Sequence, residues 1–292
     1  MPLAVISLGL LSALSWGLGD FAGGVLGRRA PVAGVLMLSQ AGGAVLSLLA
    51  ALAFREPIPG TADVAWALVS SVVGGTGLTC LYVGLARGRM GVVAPVTGVL
   101  VAAMPAIAGI ALQGLPPLAA VAGIGLAMSS VVVVSRVGDA GDGRPSGLRW
   151  GIAAGLALGC QTITLSRISA GLVFAPLTVM RCSEAILIGA VLLLAAGRAG
   201  MGSSRAIPWR IPRQLWLAVV AVGACDMLGT AFYIAATQAG PLAIAGVLSA
   251  LYPVTTVVLA VALLRERLAS WHLVGVGMAA VAIVLITTGA AA

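Results

Sequence analysis

The chain has 292 residues, 61% of them hydrophobic and only 8% charged, with a mean hydropathy of +1.15 and a formal net charge of +8. Soluble domains carry roughly 45–50% apolar and 25% charged residues. So few charges cannot cover a water-facing surface for a chain this long, which excludes a soluble protein and makes the bilayer its solvent. All sixteen basic residues are Arg, and none forms a cluster with interleaved aromatics on a polar segment. A nucleic-acid partner is therefore excluded despite the basic balance.

Taken in chain order, the first 21 residues have neither a basic leader nor a cleavage site, and they read as a first membrane span, not a removable signal. Crossing about 30 Å of hydrocarbon takes about twenty mostly apolar residues. Ten stretches meet that need: 3–26, 32–54, 64–86, 91–112, 118–135, 150–167, 172–196, 214–237, 242–264 and 271–289. Only the connections 136–149 and 197–213 are long, polar and broken by Gly and Pro. The first of them separates two halves, 1–135 and 150–292, with five stretches each. Cys80, Cys160, Cys182 and Cys225 lie singly in apolar stretches without metal-ligand spacing, so they read as small packing residues, and no metal is expected.

The halves repeat one another. Gly98-Val99-Leu100-x-Ala102-x-x-Pro105 in the fourth stretch recurs as Gly246-Val247-Leu248-x-Ala250-x-x-Pro253 in the ninth. Thr79-x-x-Tyr82 answers Thr230-x-x-Tyr233, and GIGLAM from Gly123 answers GVGMAA from Gly275. Three matches in helix order mark an internal repeat. An odd number of spans per copy inverts the second copy in the membrane, the architecture of many secondary transporters. The expected fold is an all-α integral membrane protein of ten transmembrane helices in two inverted five-helix repeats.

The stretch from Ala243 to Leu285 contains a small-residue helix with Pro253, an acidic closing residue Glu266 in LRERL, and a last helix patterned by Gly275 and Gly277. With SALSWG around Trp16 and Gly17, it resembles the EamA-like family of the drug/metabolite transporter superfamily. The first half departs by offering LQGLPP around Gln113 where the acidic residue belongs. The resemblance implies a ten-helix exporter or importer of small metabolites or drugs that hydrolyses no ATP. No cofactor is expected, and coupling to a proton or other ion is left unassigned.

Ionisable groups inside spans cost about 2.5–3.5 kcal/mol at a helix centre and mark functional sites. Asp20, Arg181, Glu184 and Asp226 are such groups. Arg181 and Glu184, three residues apart, share a helix face. In a functional reading Arg181 anchors a substrate carboxylate or phosphate, while Asp226 or Glu184 binds a cation or carries a proton. In a structural reading Arg181 pairs with one of them to hold helices together. Trp16, Gln40, Thr79, Tyr82, Gln161, Thr230, Tyr233 and Tyr252 are the polar and aromatic groups expected to line one cavity, with the two Thr/Tyr pairs facing each other across a pseudo-twofold axis. The glycine rows Gly19, Gly23, Gly27 and Gly151, Gly155, Gly159 serve close helix packing. Pro95, Pro105, Pro241 and Pro253 bend or start helices, and His272 sits at an interface.

No HExxH, GxSxG, DxxxD or Walker motif is present, so an enzyme is disfavoured and no catalytic residue is assigned. The reading is a multi-pass transporter of a small molecule in the plasma membrane, an exporter, working as monomer or homodimer. A scaffold subunit and a flippase of lipid-linked substrates are the alternatives. Arginines gather at the odd-numbered connections, from Arg28 and Arg29 to Arg265 and Arg267, against Arg55 and Arg167 at even ones. The positive-inside rule then places both termini outside. A reporter fused to the C-terminus is expected to be active only on the outer side, and a cytoplasmic signal refutes this topology.

Overall fold

The structure is a computed structural model that describes residues 2–27, 29–87, 90–134, 147–198, 211–252, 254, 255, 259 and 270–291. Every regular element among them is helical. The helices are α1 (Pro2–Gly27), α2 (Val32–Ala53), α3 (Thr61–Arg87), α4 (Met90–Gln113), α5 (Leu118–Val134), α6 (Leu148–Leu165) and α7 (Phe174–Arg198). After a 3-10 turn at Arg213–Leu215 follow α8 (Trp216–Ala239), α9 (Leu242–Ser249) and α10 (Ser270–Ala291). In lipid the backbone must satisfy its own hydrogen bonds, which helices do and open strands do not. Among the described residues, five segments are long and apolar enough to cross a membrane: Leu3–Gly23, Ala33–Ala53, Thr61–Leu81, Val96–Gln113 and Arg213–Ala239. The chain is a multi-pass membrane protein.

Within the ninth stretch α9 ends at Ser249 and Ala250–Leu251 form a turn, with Leu251 donating its N–H to the Leu248 carbonyl. The chain is helical again at Tyr252, Val254, Thr255 and Leu259. Pro253, Glu266, Arg265 and Arg267 lie outside the described residues, as does most of the polar connection 136–149.

Packing runs between the halves more than within them. Helix α1 lies on α8 and α9, α2 on α7 and α8, α3 on α6 and α7, α4 on α6 and α9, and α5 on α10. Exchanging each helix for the one five places away reproduces this set: the α1–α8 contact becomes α6–α3, and α2–α8 becomes α7–α3. The two copies of the repeated motif meet, since a Cβ on Gly246 in α9 would stand 2.5 Å from the Pro105 ring in α4. Gly155 and Gly159 likewise receive Leu100 and Met104 of α4, and a side chain at Gly223 would collide with the Ser39 carbonyl of α2. Small residues at such crossings let backbones approach, which is how helices gain contact where lipid supplies no hydrophobic drive.

At one end the even-numbered connections are tied together. The chain leaves α2 through Arg55, whose φ of 53° is the left-handed region and costs a non-glycine residue about 1 kcal/mol. The reversal precedes Glu56, whose Oε1 accepts the N–H groups of Val173 and Phe174 and whose Oε2 accepts that of Ala175, at 2.7–3.2 Å. A carboxylate there caps the start of α7 and meets the positive end of its dipole. Asp63 Oδ1 accepts the Ser169 N–H at 2.8 Å, Gln113 Oε1 accepts the Leu242 N–H at 2.8 Å, and the Gln238 amide donates to the carbonyls of Ser169 and Leu172. Phe54 stacks on Phe174 with ring centroids 5.4 Å apart. Glu56→Ala is expected to lower stability by about 1–2 kcal/mol, the range for a lost N-cap. The check is the thermal midpoint of the detergent-purified protein, and an unchanged midpoint refutes the capping role.

Candidate functional site

The polar residues that lipid would exclude are gathered around one guanidinium. Arg181, in the second turn of α7, is 3% exposed. Its Nη1 donates to Gln40 Oε1 of α2 at 2.6 Å, to Asp226 Oδ2 of α8 at 2.6 Å and to Glu184 Oε2, one turn along α7, at 3.2 Å. Nη2 donates to Thr230 Oγ1 at 2.7 Å and to the Asp226 carbonyl at 3.3 Å. Glu184 Oε1 accepts from Gln161 Nε2 of α6 at 3.3 Å. Three elements therefore hold Arg181, and a fourth is reached through Glu184. Among the described residues, Arg181 Nε is the buried side-chain polar atom without a hydrogen-bond partner.

Local sequence explains this convergence. Asp226, Thr230 and Tyr233 recur at helical spacing on one face of α8, and Arg181 with Glu184 does so on α7. Two glycines give the arginine its path: the Arg181 side chain passes over Gly43 of α2, and Gly223 lets α8 close on Ser39 beside Gln40. Helix α1 joins from the other flank. Gly19 lies against Cys225 and Asp226, and the Trp16 indole rests on Gly229 with its N–H directed at Thr230 Oγ1, 3.4 Å away. Asp20, one turn beyond Trp16 and next to Gly19, is exposed.

An aromatic wall adjoins the charges. Trp16 stacks on Tyr233 at 5.8 Å between centroids and meets Tyr252 edge-on at 6.3 Å with the planes 84° apart. Tyr233 is fully buried and donates its hydroxyl to the Thr162 carbonyl at 2.9 Å, so it serves as a floor for Trp16. Tyr252, just past the end of α9, is partly buried.

Ten of the residues singled out from the sequence are thus brought together: Trp16, Asp20, Gln40, Gln161, Arg181, Glu184, Asp226, Thr230, Tyr233 and Tyr252. Thr79 is not among them. It is exposed on α3 and returns its hydroxyl to the Gly75 carbonyl of its own helix at 2.8 Å. The side chain of Tyr82 lies outside the described residues, as does that of His272. Arg181, proposed from sequence as an anion anchor, is occupied in this conformation by the cluster's own acceptors. Glu56, Asp63 and Gln238 went unnoticed, because acidic and amide residues in short polar connections ordinarily face water and no spacing distinguishes those that cap a neighbouring helix.

Geometry thus yields a charged cluster enclosed by helices of both halves, with two carboxylates open and an aromatic wall beside them. A solved crystal structure of a protein superposes on 98% of this chain and 95% of its own length with a TM-score of 0.67 at 20% identity, a likeness of fold. No curated protein matches the chain. The EamA-like transporter family matches twice, over residues 3–136 and again over 145–288. Those two matches take in nearly the whole sequence, and the chain belongs to the EamA-like transporter family.

Proposed function

We propose that the protein exports a small metabolite or drug across the plasma membrane by alternating access, as ten helices in two inverted repeats, without ATP hydrolysis. The observation that carries this reading is the asymmetric exposure of the central charges. Glu184 and Arg181 have side chains 1% and 4% exposed, yet Asp226 beside them is 37% exposed and Asp20 is open. At the even-numbered end, meanwhile, Glu56, Asp63, Gln113 and Gln238 tie the connections together. A site open to solvent on a chain sealed at one end is one half of an alternating cycle. Under the positive-inside topology the sealed end is the outer one, so this conformation receives substrate from the cytoplasm.

Exchange symmetry of the packing supports the inverted-repeat part of the reading, since a pseudo-twofold lets each half rock against the other through equivalent contacts. The engagement of both Arg181 Nη groups by acceptors of α2, α7 and α8 favours a structural task for that residue. In this reading it holds α2, α7 and α8 around the site while Asp226 meets the substrate.

The two tasks separate by experiment on protein reconstituted in liposomes, with counterflow measured across a panel of amino acids, amines, sugars and phosphorylated metabolites. Asp226→Asn keeps an acceptor for Arg181 and is expected to stay folded while losing saturable flux by about tenfold or more, the factor given by about 1.4 kcal/mol. Arg181→Ala strands Glu184 in the interior and is expected to lose about 3–5 kcal/mol of stability along with flux. Wild-type flux in both variants refutes the site. No saturable flux from the folded wild type refutes transport in favour of a scaffold.

A further inference from the structure

We infer that the substrate of this site carries a positive charge, as a small organic ammonium held between Asp20 and Asp226 against the rings of Trp16 and Tyr252. This assignment rests on the transport reading above and adds to it the chemical class of the cargo.

Consider first the charges. The described residues of the site hold three carboxylates, Asp20, Glu184 and Asp226, and one guanidinium, Arg181. Burial then divides them unequally. The guanidinium and Glu184 are enclosed and bonded to each other at 3.2 Å, while the side chain of Asp226 is 37% exposed and Asp20 is exposed. What a ligand meets is therefore the anionic part of the cluster, with its cation turned inward. A carboxylate or phosphate arriving there faces like charge and finds the Nη groups already donating to Gln40, Glu184, Asp226 and Thr230. An ammonium instead brings the charge opposite to theirs.

The rings supply the second, independent feature. Trp16 and Asp20 stand one helical turn apart on α1, so a ligand touching the carboxylate lies beside the indole. Trp16 stacks by one face on Tyr233 and has its N–H directed at Thr230, so the part of the indole that a ligand at Asp20 meets is ring and not polar edge. Tyr252 meets it at 84°, and two rings at right angles make a corner. Ring faces attract cations through their quadrupole, and quaternary ammonium groups are recognised in this way.

The test uses the full chain in detergent and isothermal titration with three probes of similar shape: benzyltrimethylammonium, its neutral carbon isostere neopentylbenzene, and the anion benzenesulfonate. Only the ammonium is expected to bind. Asp20→Asn, which leaves every hydrogen bond of Arg181 in place, and Asp226→Asn are each expected to weaken it by about tenfold or more, and Trp16→Leu by about fivefold, within the cation–π range. Equal binding of the isostere or the anion, unchanged affinity in a folded Asp20→Asn variant, or no binding of the ammonium overturns the inference. Flux of benzyltrimethylammonium into proteoliposomes separates it from the transport reading. Binding without flux upholds the cation site and overturns transport, whereas saturable flux of an anion that Asp20→Asn leaves intact upholds transport and overturns the cation site.

Discussion

A guanidinium cannot be left alone inside a bilayer, and the arrangement of this protein's core follows from that. Arg181 cannot lose its charge as a carboxylate can, so it must find acceptors among neighbouring helices. It finds them on α2, on its own helix and on α8, at distances down to 2.6 Å. Each of those helices must come close enough for a short polar side chain to reach, and Gly43 and Gly223 are what allow it. The position of Asp226, and with it the open face of the site, is thus set by the requirement to satisfy Arg181.

A second constraint is that neither half has a separate interior. One buried cluster joins Val5 of α1, Ala106 of α4, Val131 of α5, Leu248 of α9 and Ala279 of α10, and another joins Ala67 of α3 to Leu177 of α7 and Tyr233 of α8. Residues of both halves share each core, and large side chains such as Leu177, Met180 and Tyr233 interlock there, so neither half can shift without repacking the other.

Much of this was legible from residues alone. Lipid demands long apolar stretches, and the described helices begin and end within a few residues of where those stretches do, α9 excepted. The charged cluster was legible for the same reason: four ionisable side chains among apolar residues stand out, and a spacing of three places Arg181 and Glu184 together. What stayed hidden depended on three-dimensional approach. Nothing in the sequence distinguishes Gln40, which binds Arg181, from Thr79, which turns back on its own helix, since both are single polar residues in apolar stretches. The repeat suggested that Thr79 and Thr230 would behave alike, but Thr230 has an arginine to bind and Thr79 has only its own backbone. The turn at Ala250–Leu251 was obscured by continued apolarity, in which hydropathy marks no interruption.

The ties at the even-numbered end have a further property. Glu56, Asp63 and Gln113 belong to the first half, and what they grip in the second is peptide N–H, from Ala175, Ser169 and Leu242. A hydrogen bond to a peptide group is indifferent to the side chain of the residue that donates it, unless that residue is proline. Specification of these ties therefore lies in the three gripping side chains, and the gripped residues answer to other demands: Ile168 and Leu172 are buried in the core, Gly171 has a left-handed φ of 85°, and Phe174 stacks on Phe54. Identity at the even-numbered end is thus set on one side by hydrogen bonding and on the other by packing.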